Sequence, residues 1–303
     1  MRVEQSQGGS LSRLCSLSGF SRQAYYKHRL LKEKEPLQEE LIIRQVLGYR
    51  KLQPRIGGRK LHFLLGPFMA LHRIRMGRDA FFKMLSRYSL LLKQRRGKPQ
   101  TTNSNHWMKR HPNLIEKLVP AYSDQLWVSD ITYLTLCDSD AFLSLVTDAY
   151  SRKIVGFHLS KNLKADGPVL ALEMAVAGCS KTEGLIHHSD RGGQYCCEQY
   201  VQVLHDCKIN ISMTQNGNPK DNAIAERVNG ILKMELLEPV FTDIDAARAA
   251  VTQAVNTYNY LRPHSSLSML TPALVHGRVM KLKRRWKNYY PARKPVKEVV
   301  MDG

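Results

Sequence analysis

Residues 126–136 read LWVSDITYLTL, and residues 141–160 read AFLSLVTDAYSRKIVGFHLS. The first segment is rich in β-formers, alternates in part between apolar and polar, and reads as one strand. The second reads as two strands joined at Asp148 to Arg152. Toward the C-terminus, DGPVLALEMAVAGC is a helix opened by Gly167-Pro168, LIHHSD a short buried strand, CCEQYVQVLHDCK a helix and INISMT another strand. Asn216-Gly217-Asn218-Pro219 reads as loop and DNAIAERVNGILKMELL as a long amphipathic helix. Strands first, then helix and strand in alternation, give a mixed α/β sheet.

Toward the N-terminus the texture becomes helical. Leu11, Leu14 and Leu17 recur at helical spacing, Ser18-Gly19-Phe20 turns the chain, and Ser21 is an N-cap for a helix beginning Arg22-Gln23-Ala24. Helix, glycine turn, basic helix is the outline of a helix-turn-helix. A second copy follows: Pro36 opens a helix through Leu41 and Val46, Gly57-Gly58 precedes Arg59 to Leu65, and Arg78-Asp79 opens AFFKMLSRYSLL. Residues 93–112, KQRRGKPQTTNSNHWMKRHP, are basic and polar with no hydrophobic period and read as a linker. The expected organisation is a helix-turn-helix over 1–35, a second such helical domain over 36–92, a basic linker over 93–118, an α/β core over 119–277 and a basic tail over 278–303. That tail mixes Lys and Arg with Trp286, Tyr289 and Tyr290, a composition that can hold backbone phosphate and stack on bases.

The 303 residues carry 46 Lys+Arg against 26 Asp+Glu, a net charge of +20 that points to a polyanionic partner. The charge is uneven: +18 over residues 1–118, −4 over 119–235 and +6 over 236–303. Basic arms neutralise phosphates. An acidic middle is a poor surface for a polyanion unless its carboxylates hold cations. Other classes are disfavoured. The apolar run Leu61 to Leu71 is broken by His62 and Gly66-Pro67 and is too short to span a bilayer. The start, MRVEQSQGGS, has no apolar core of the secretory kind. Six cysteines without CxxC spacing make no disulfide scaffold, and His62 and His72 lack a nearby cysteine pair for zinc. The expectation is a soluble, cytosolic protein.

Three acidic residues stand out by context. Asp130 interrupts an apolar strand, where a carboxylate is costly to bury unless paired or ligated. Asp190 ends LIHHSD just before Gly192-Gly193, where α/β sheets place ligands. On the long helix, at 100° per residue, Ile224, Val228, Ile231, Leu232 and Leu236 form an apolar stripe, and Glu226 points away from it with Asn222, Asn229 and Lys233. Taken singly, Asp130 also reads as a satisfied edge-strand residue, Asp190 as a turn residue and Glu226 as a solvated helix position. His188 shares the strand side of Asp190, and Asp221 reads as a helix-start residue.

The segments WVSDITYL, HSDRGGQY and GNPKDNAIAERVNGILK resemble the three signature blocks of the DDE integrase/transposase superfamily. Asp130 and Asp190 are separated by 59 residues and Asp190 and Glu226 by 35, the D,D-35-E spacing. YNYLRPHSSLSMLTPALVHG resembles the segment closing the integrase core of bacterial insertion-sequence transposases, and LSRLCSLSGFSRQAYYKHR the opening of the insertion-sequence-3 second-frame protein. Together these cover most of residues 11–277.

The resemblance implies an RNase H-like core, a mixed five-stranded sheet with helices, preceded by the all-α helix-turn-helix region. In it, Asp130, Asp190 and Glu226 are the catalytic residues and hold two Mg²⁺ ions, with Mn²⁺ as a substitute. Two such ions about 3.5–4 Å apart activate the attacking oxygen and stabilise the leaving one. The implied function is DNA transposition: binding of terminal inverted repeats, strand cleavage, and transfer of a 3′-OH end to a target. An RNase H-like nuclease without joining, or a non-catalytic DNA-binding regulator, are the alternatives. Lys233 matches a lysine that contacts the DNA end in similar integrases; Asn222 would orient a carboxylate or touch phosphate; Arg22, Lys27, Arg78 and Lys83 are further candidate DNA contacts, as are Arg191 and Gln194. Double-stranded DNA, as transposon ends and target, is the expected partner, bound by a homo-oligomer at the bacterial nucleoid. An upstream-frame protein with a helix-turn-helix and zipper is a further expected partner, since no sustained heptads precede residue 30.

Overall fold

A computed structural model describes residues 10–92, 111–116, 118–215 and 222–280, the side chains of 31–35 excepted. Two compact units divide the chain, Met1–Pro99 with Met234–Leu236, and Gln100–Lys233 with Leu237–Gly303.

The first unit is helical, with α1 (Leu11–Leu17), α2 (Arg22–Leu52), α3 (Gly58–Leu64), α4 (Gly66–Leu71) and α5 (Arg78–Arg87). Between α1 and α2, Gly19 turns the chain at φ +72°, a conformation glycine adopts without a Cβ penalty. Ser21 caps α2 by accepting from Ala24 N at 3.1 Å. The expected helix start at Pro36 is not one: α2 runs unbroken for 31 residues with Pro36 inside it. The ring removes one backbone hydrogen bond, at a cost of about 3 kcal/mol. Beyond it, fully buried Ile42 and Val46 pack with Ile56, Leu61, Phe81 and Leu85, which offsets a penalty of that size. Buried Glu39 accepts from the Arg87 guanidinium and from Tyr88 OH, tying α2 to the end of α5.

The second unit carries the sheet. Its main strands are β1 (Leu126–Leu136), β2 (Asp140–Asp148), β3 (Ile154–Ser160), β4 (Ile186–Ser189) and β5 (Asn210–Met213), in the order β3-β2-β1-β4-β5. β1, β2 and β3 pair antiparallel, while β4 and β5 run parallel to β1. This is the RNase H-like arrangement. A sixth strand of two residues, β6 (Val240–Phe241), pairs in parallel with the end of β1; no sequence signal pointed to it. The helices are α6 (Asp166–Ala177), α7 (Gly193–Cys196), α8 (Glu198–Asp206), α9 (Ala223–Ile231), α10 (Ile244–Asn256) and α11 (Pro272–Val275). Two of them end in π-helical turns, Leu232–Leu236 after α9 and Thr257–Leu261 after α10. The helix expected as one piece through Leu236 therefore widens in its second half, and Leu237 N donates to Leu232 O at 2.8 Å.

Both faces of β1 are covered. Trp127 joins Ala171, Leu172, Tyr195, Tyr200 and Leu204 under α6–α8, while Leu126 and Val128 meet Ala225 of α9 on the other face. α6 lies so close to β3 that a Cβ on Gly156 would stand 2.0 Å from Ala171 O. The end of the expected linker belongs to this unit: Ile115 and Leu118 pack against Leu126 and Val128, and Leu114 N donates to Ser212 Oγ at 2.9 Å. Apolar side chains seek the sheet even when the stretch before them is polar. Residues 93–110 of that linker, the Asn216–Pro219 loop, Asp221 and the tail from 281 lie outside the described residues. Among the described residues no helix is long and apolar enough to cross a membrane.

Candidate active site

The site builds outward from Asp130. β1 and β4 are parallel neighbours in register at Val128 and His188, and two residues further along each stand Asp130 and Asp190. Neighbouring strands lie about 4.8 Å apart, so the pairing brings these carboxylates close together where β4 ends. Alternation along β1 turns Asp130 to the side of Leu126 and Val128, the side on which α9 packs. Asn229 of α9 donates Nδ2 to Asp130 Oδ2 at 2.8 Å, and Ile131 N donates to Oδ1 at 3.0 Å. One turn before Asn229 on α9 stands exposed Glu226, whose charge reaches Asp130.

Electrostatics ties the three together. Burial, then the charge of Asp190, pushes the Asp130 carboxyl up to about 7; the hydrogen bonds from Asn229 and Ile131 oppose this, and Glu226 adds to it. Oxygen donors whose negative charges crowd one another suit a hard divalent cation. Asp190 also serves its turn, accepting from Gly192 N at 2.9 Å through Oδ1. Asn222, at the N-cap of α9, does not cap that helix with its side chain but donates Nδ2 to Ser129 O at 3.0 Å. Lys233 donates to Thr132 Oγ1 at 3.3 Å, and partial burial lowers its pKa. His188 is fully buried and bonds Ser212 Oγ through Nδ1 at 2.9 Å. Beneath Asp130, on the other face, His187 Nε2 lies 2.7 Å from Ser129 Oγ and 2.8 Å from Tyr200 OH. Burial pushes the His187 pKa down to about 3, so the ring is neutral.

Arg191, part-buried directly after Asp190, and Gln194 of α7, which donates Nε2 to Leu163 O at 3.1 Å, lie in the sheet unit; four further candidates lie in the helical unit. Arg22 opens α2 and Lys27 follows on it, both exposed. Arg78 opens α5, exposed and paired with Asp79 at 2.9 Å. Lys83 is exposed on α5, whose opposite face buries Phe81, Met84 and Leu85.

A second polar cluster escaped the sequence reading. Asp124, Asp148 and His276 bring ligand atoms within 4.8 Å of one another. Asp148 is fully buried and accepts from Ser151 N at 2.7 Å, Ser151 Oγ at 2.5 Å and Asp124 N at 2.8 Å. Asp124 Oδ1 accepts from Trp127 Nε1 at 2.9 Å, and His276 Nδ1 lies 3.1 Å from Ser151 Oγ. This hydrogen-bond set joins the chain before β1, the end of β2 and the residue after α11. No local signal could find it, since His276 is 125 residues from Ser151.

Two models of the integrase core domain match the chain, one over residues 121–219 and one over 207–272. The 31 kDa protein of insertion element IS600 from Shigella sonnei is 32% identical over 266 residues, 86% of this chain and 96% of that protein. Transposase InsF of insertion sequence IS3A from Escherichia coli is 32% identical over 170 residues, covering 55% of this chain and 59% of InsF. The transposase of IS904 from Lactococcus lactis is 31% identical, over 63% of this chain and 76% of its own. Among solved structures, the HTLV-2 integrase catalytic core domain in complex with magnesium matches at 18% identity with a TM-score of 0.41, covering 51% of this chain and 97% of that one.

Proposed function

Because the chain belongs to the DDE transposases of the insertion-sequence-3 type, polynucleotidyl transferases built on an integrase core, we propose that Asp130, Asp190 and Glu226 form one phosphoryl-transfer centre that cuts an element's ends and joins each freed 3′-OH to a target strand. Its function is DNA transposition. What supports the finer reading is the approach of carboxylates from three separate elements, β1, the end of β4 and α9, with Asp130 raised to about 7 by burial first and then by the charges of Asp190 and Glu226.

Asp130, Asp190 and Glu226 would hold two Mg²⁺ ions, for which Mn²⁺ can substitute. Bound there, the ions would activate an attacking oxygen and stabilise a leaving one. The protein's own part is orientation. Asn229 and Ile131 N fix both oxygens of Asp130, and the Gly192 amide fixes Asp190. Lys233, half-buried beside Thr132, offers a cation on the Glu226 side for the phosphate of a DNA end. Water as nucleophile nicks the end and a 3′-OH joins it; exchanging one phosphodiester for another needs no ATP.

Arg22, Lys27, Arg78 and Lys83 meet the terminal inverted repeats, and Asn222 holds the strand beneath the site. Two ends must be held together for transfer, so the working form is a homo-oligomer on double-stranded DNA in the bacterial cytosol, at the nucleoid. An upstream-frame protein would complete it. Asp130→Ala, Asp190→Ala and Glu226→Ala should each abolish cleavage while leaving end binding intact in a gel-shift assay. Cleavage by all three variants would overturn the assignment. A pre-cut 3′-OH end that the protein fails to join would leave a nuclease alone.

A further inference from the structure

We propose that Asn229 is a positioning residue of the carboxylate centre, holding Asp130 in the orientation in which it accepts a divalent ion. This rests on the assignment of Asp130, Asp190 and Glu226 as that centre, and deepens it. Asn229 is only 6% exposed and lies on α9 three residues after Glu226. A buried amide needs partners for both ends. Its Nδ2 has one in Asp130 Oδ2, 2.8 Å away across 99 residues of sequence. Its Oδ1 is buried with no hydrogen-bond partner among the described residues.

Asn229 spends its donor on a carboxylate and leaves a buried acceptor on the same amide. That acceptor can take a hydrogen bond from water accompanying an ion. Asn222, buried at the N-cap of the same helix, also leaves its Oδ1 without a partner among the described residues, but its Nδ2 bonds the backbone, at Ser129 O; the bond to a carboxylate is what sets Asn229 apart. The Asn229 bond restricts the side-chain rotation of a carboxylate already held on Oδ1 by Ile131 N. Partners that hold metal ligands in this way cost about 10–100-fold in metal affinity when removed.

The test uses the full chain without DNA and reads Mn²⁺ affinity by calorimetric titration. Asn229→Ala and Asn229→Leu should both weaken Mn²⁺ binding about 10–100-fold. Asn229→Leu keeps the side-chain volume, and thermal unfolding of each variant without the ion checks that the fold persists. In strand transfer, both should raise the Mn²⁺ concentration for half-maximal rate more than they lower the rate at saturating ion, a split that a general loss of structure does not produce. Asp130→Asn is run alongside. If Asp130→Asn loses Mn²⁺ while folded Asn229→Ala and Asn229→Leu bind it as the parent does, the inference about Asn229 is overturned and the centre stands. If Asp130→Asn also binds like the parent, the centre itself falls, and Asn229 with it.

Discussion

His187 shows how much of this core is decided by single side chains. It is 1% exposed, bonded at Nε2 by two hydroxyls, and held neutral with a pKa near 3. In the unfolded chain the ring titrates near 6.5. With the folded value the lower one, its contribution is complete above about pH 6.5 and is lost as pH falls toward 3, by up to about 1.4 kcal/mol per unit. His187→Gln should flatten that acid limb, read as urea midpoints between about pH 6.5 and 4; an unchanged limb would mean the ring charges in place. Residues of this kind were only half legible. Asp130 drew attention because a carboxylate in an apolar strand needs a reason. The helical period put Asn229 on the Glu226 side of α9, but not against Asp130, which comes 99 residues earlier. The cluster of Asp124, Asp148 and His276 was invisible, because three ordinary polar residues acquire meaning only when the sheet brings their segments together.

At the scale of elements, strands were the easiest to read. β1 coincides with LWVSDITYLTL, and the two strands joined at Asp148 to Arg152 are β2 and β3. Their β-branched and apolar content leaves few alternatives. Helix limits were harder. A proline looked like a start at residue 36, yet α2 carries it inside, since packing downstream outweighs one missing hydrogen bond. The π-helical turns after α9 and α10 have no compositional mark at all. Buried Asn259, in the second of them, accepts from Ile154 N and donates to Ile154 O, both at 2.9 Å, which locks the first residue of β3 in place. The contact of β3 with α6 depends on one missing side chain. Gly156→Ala would drive its Cβ into Ala171 O, and the helix must move; we expect a loss of about 3 kcal/mol in urea unfolding. A loss within about 0.5 kcal/mol, as for a surface substitution, would show that α6 can yield.

For the molecule as a whole, the division of charge is the leading fact, with +18 before residue 119 and −4 over the next 117 residues. Arg78 and Lys83 are exposed on one short helix, and the exposed pair of Arg78 with Asp79 is too weak to withhold it from DNA. Removing both charges should lower the slope of log affinity against log salt by about 2 for DNA of any sequence, measured by fluorescence anisotropy; an unchanged slope would place the phosphate contacts elsewhere. The asparagine bonds between α9 and β1 carry a different consequence. Asn222 and Asn229 fix the helix on the strand, so Glu226 takes its position from them and not from the length of chain that precedes it. The interval of 35 residues does not itself set that position. Residues inserted at exposed Lys208, in the turn between α8 and β5, should leave cleavage intact, whereas the same insertion between Asn222 and Glu226 should abolish it. Kinship in such proteins would be recognised better by what touches the strand than by counting the residues in between.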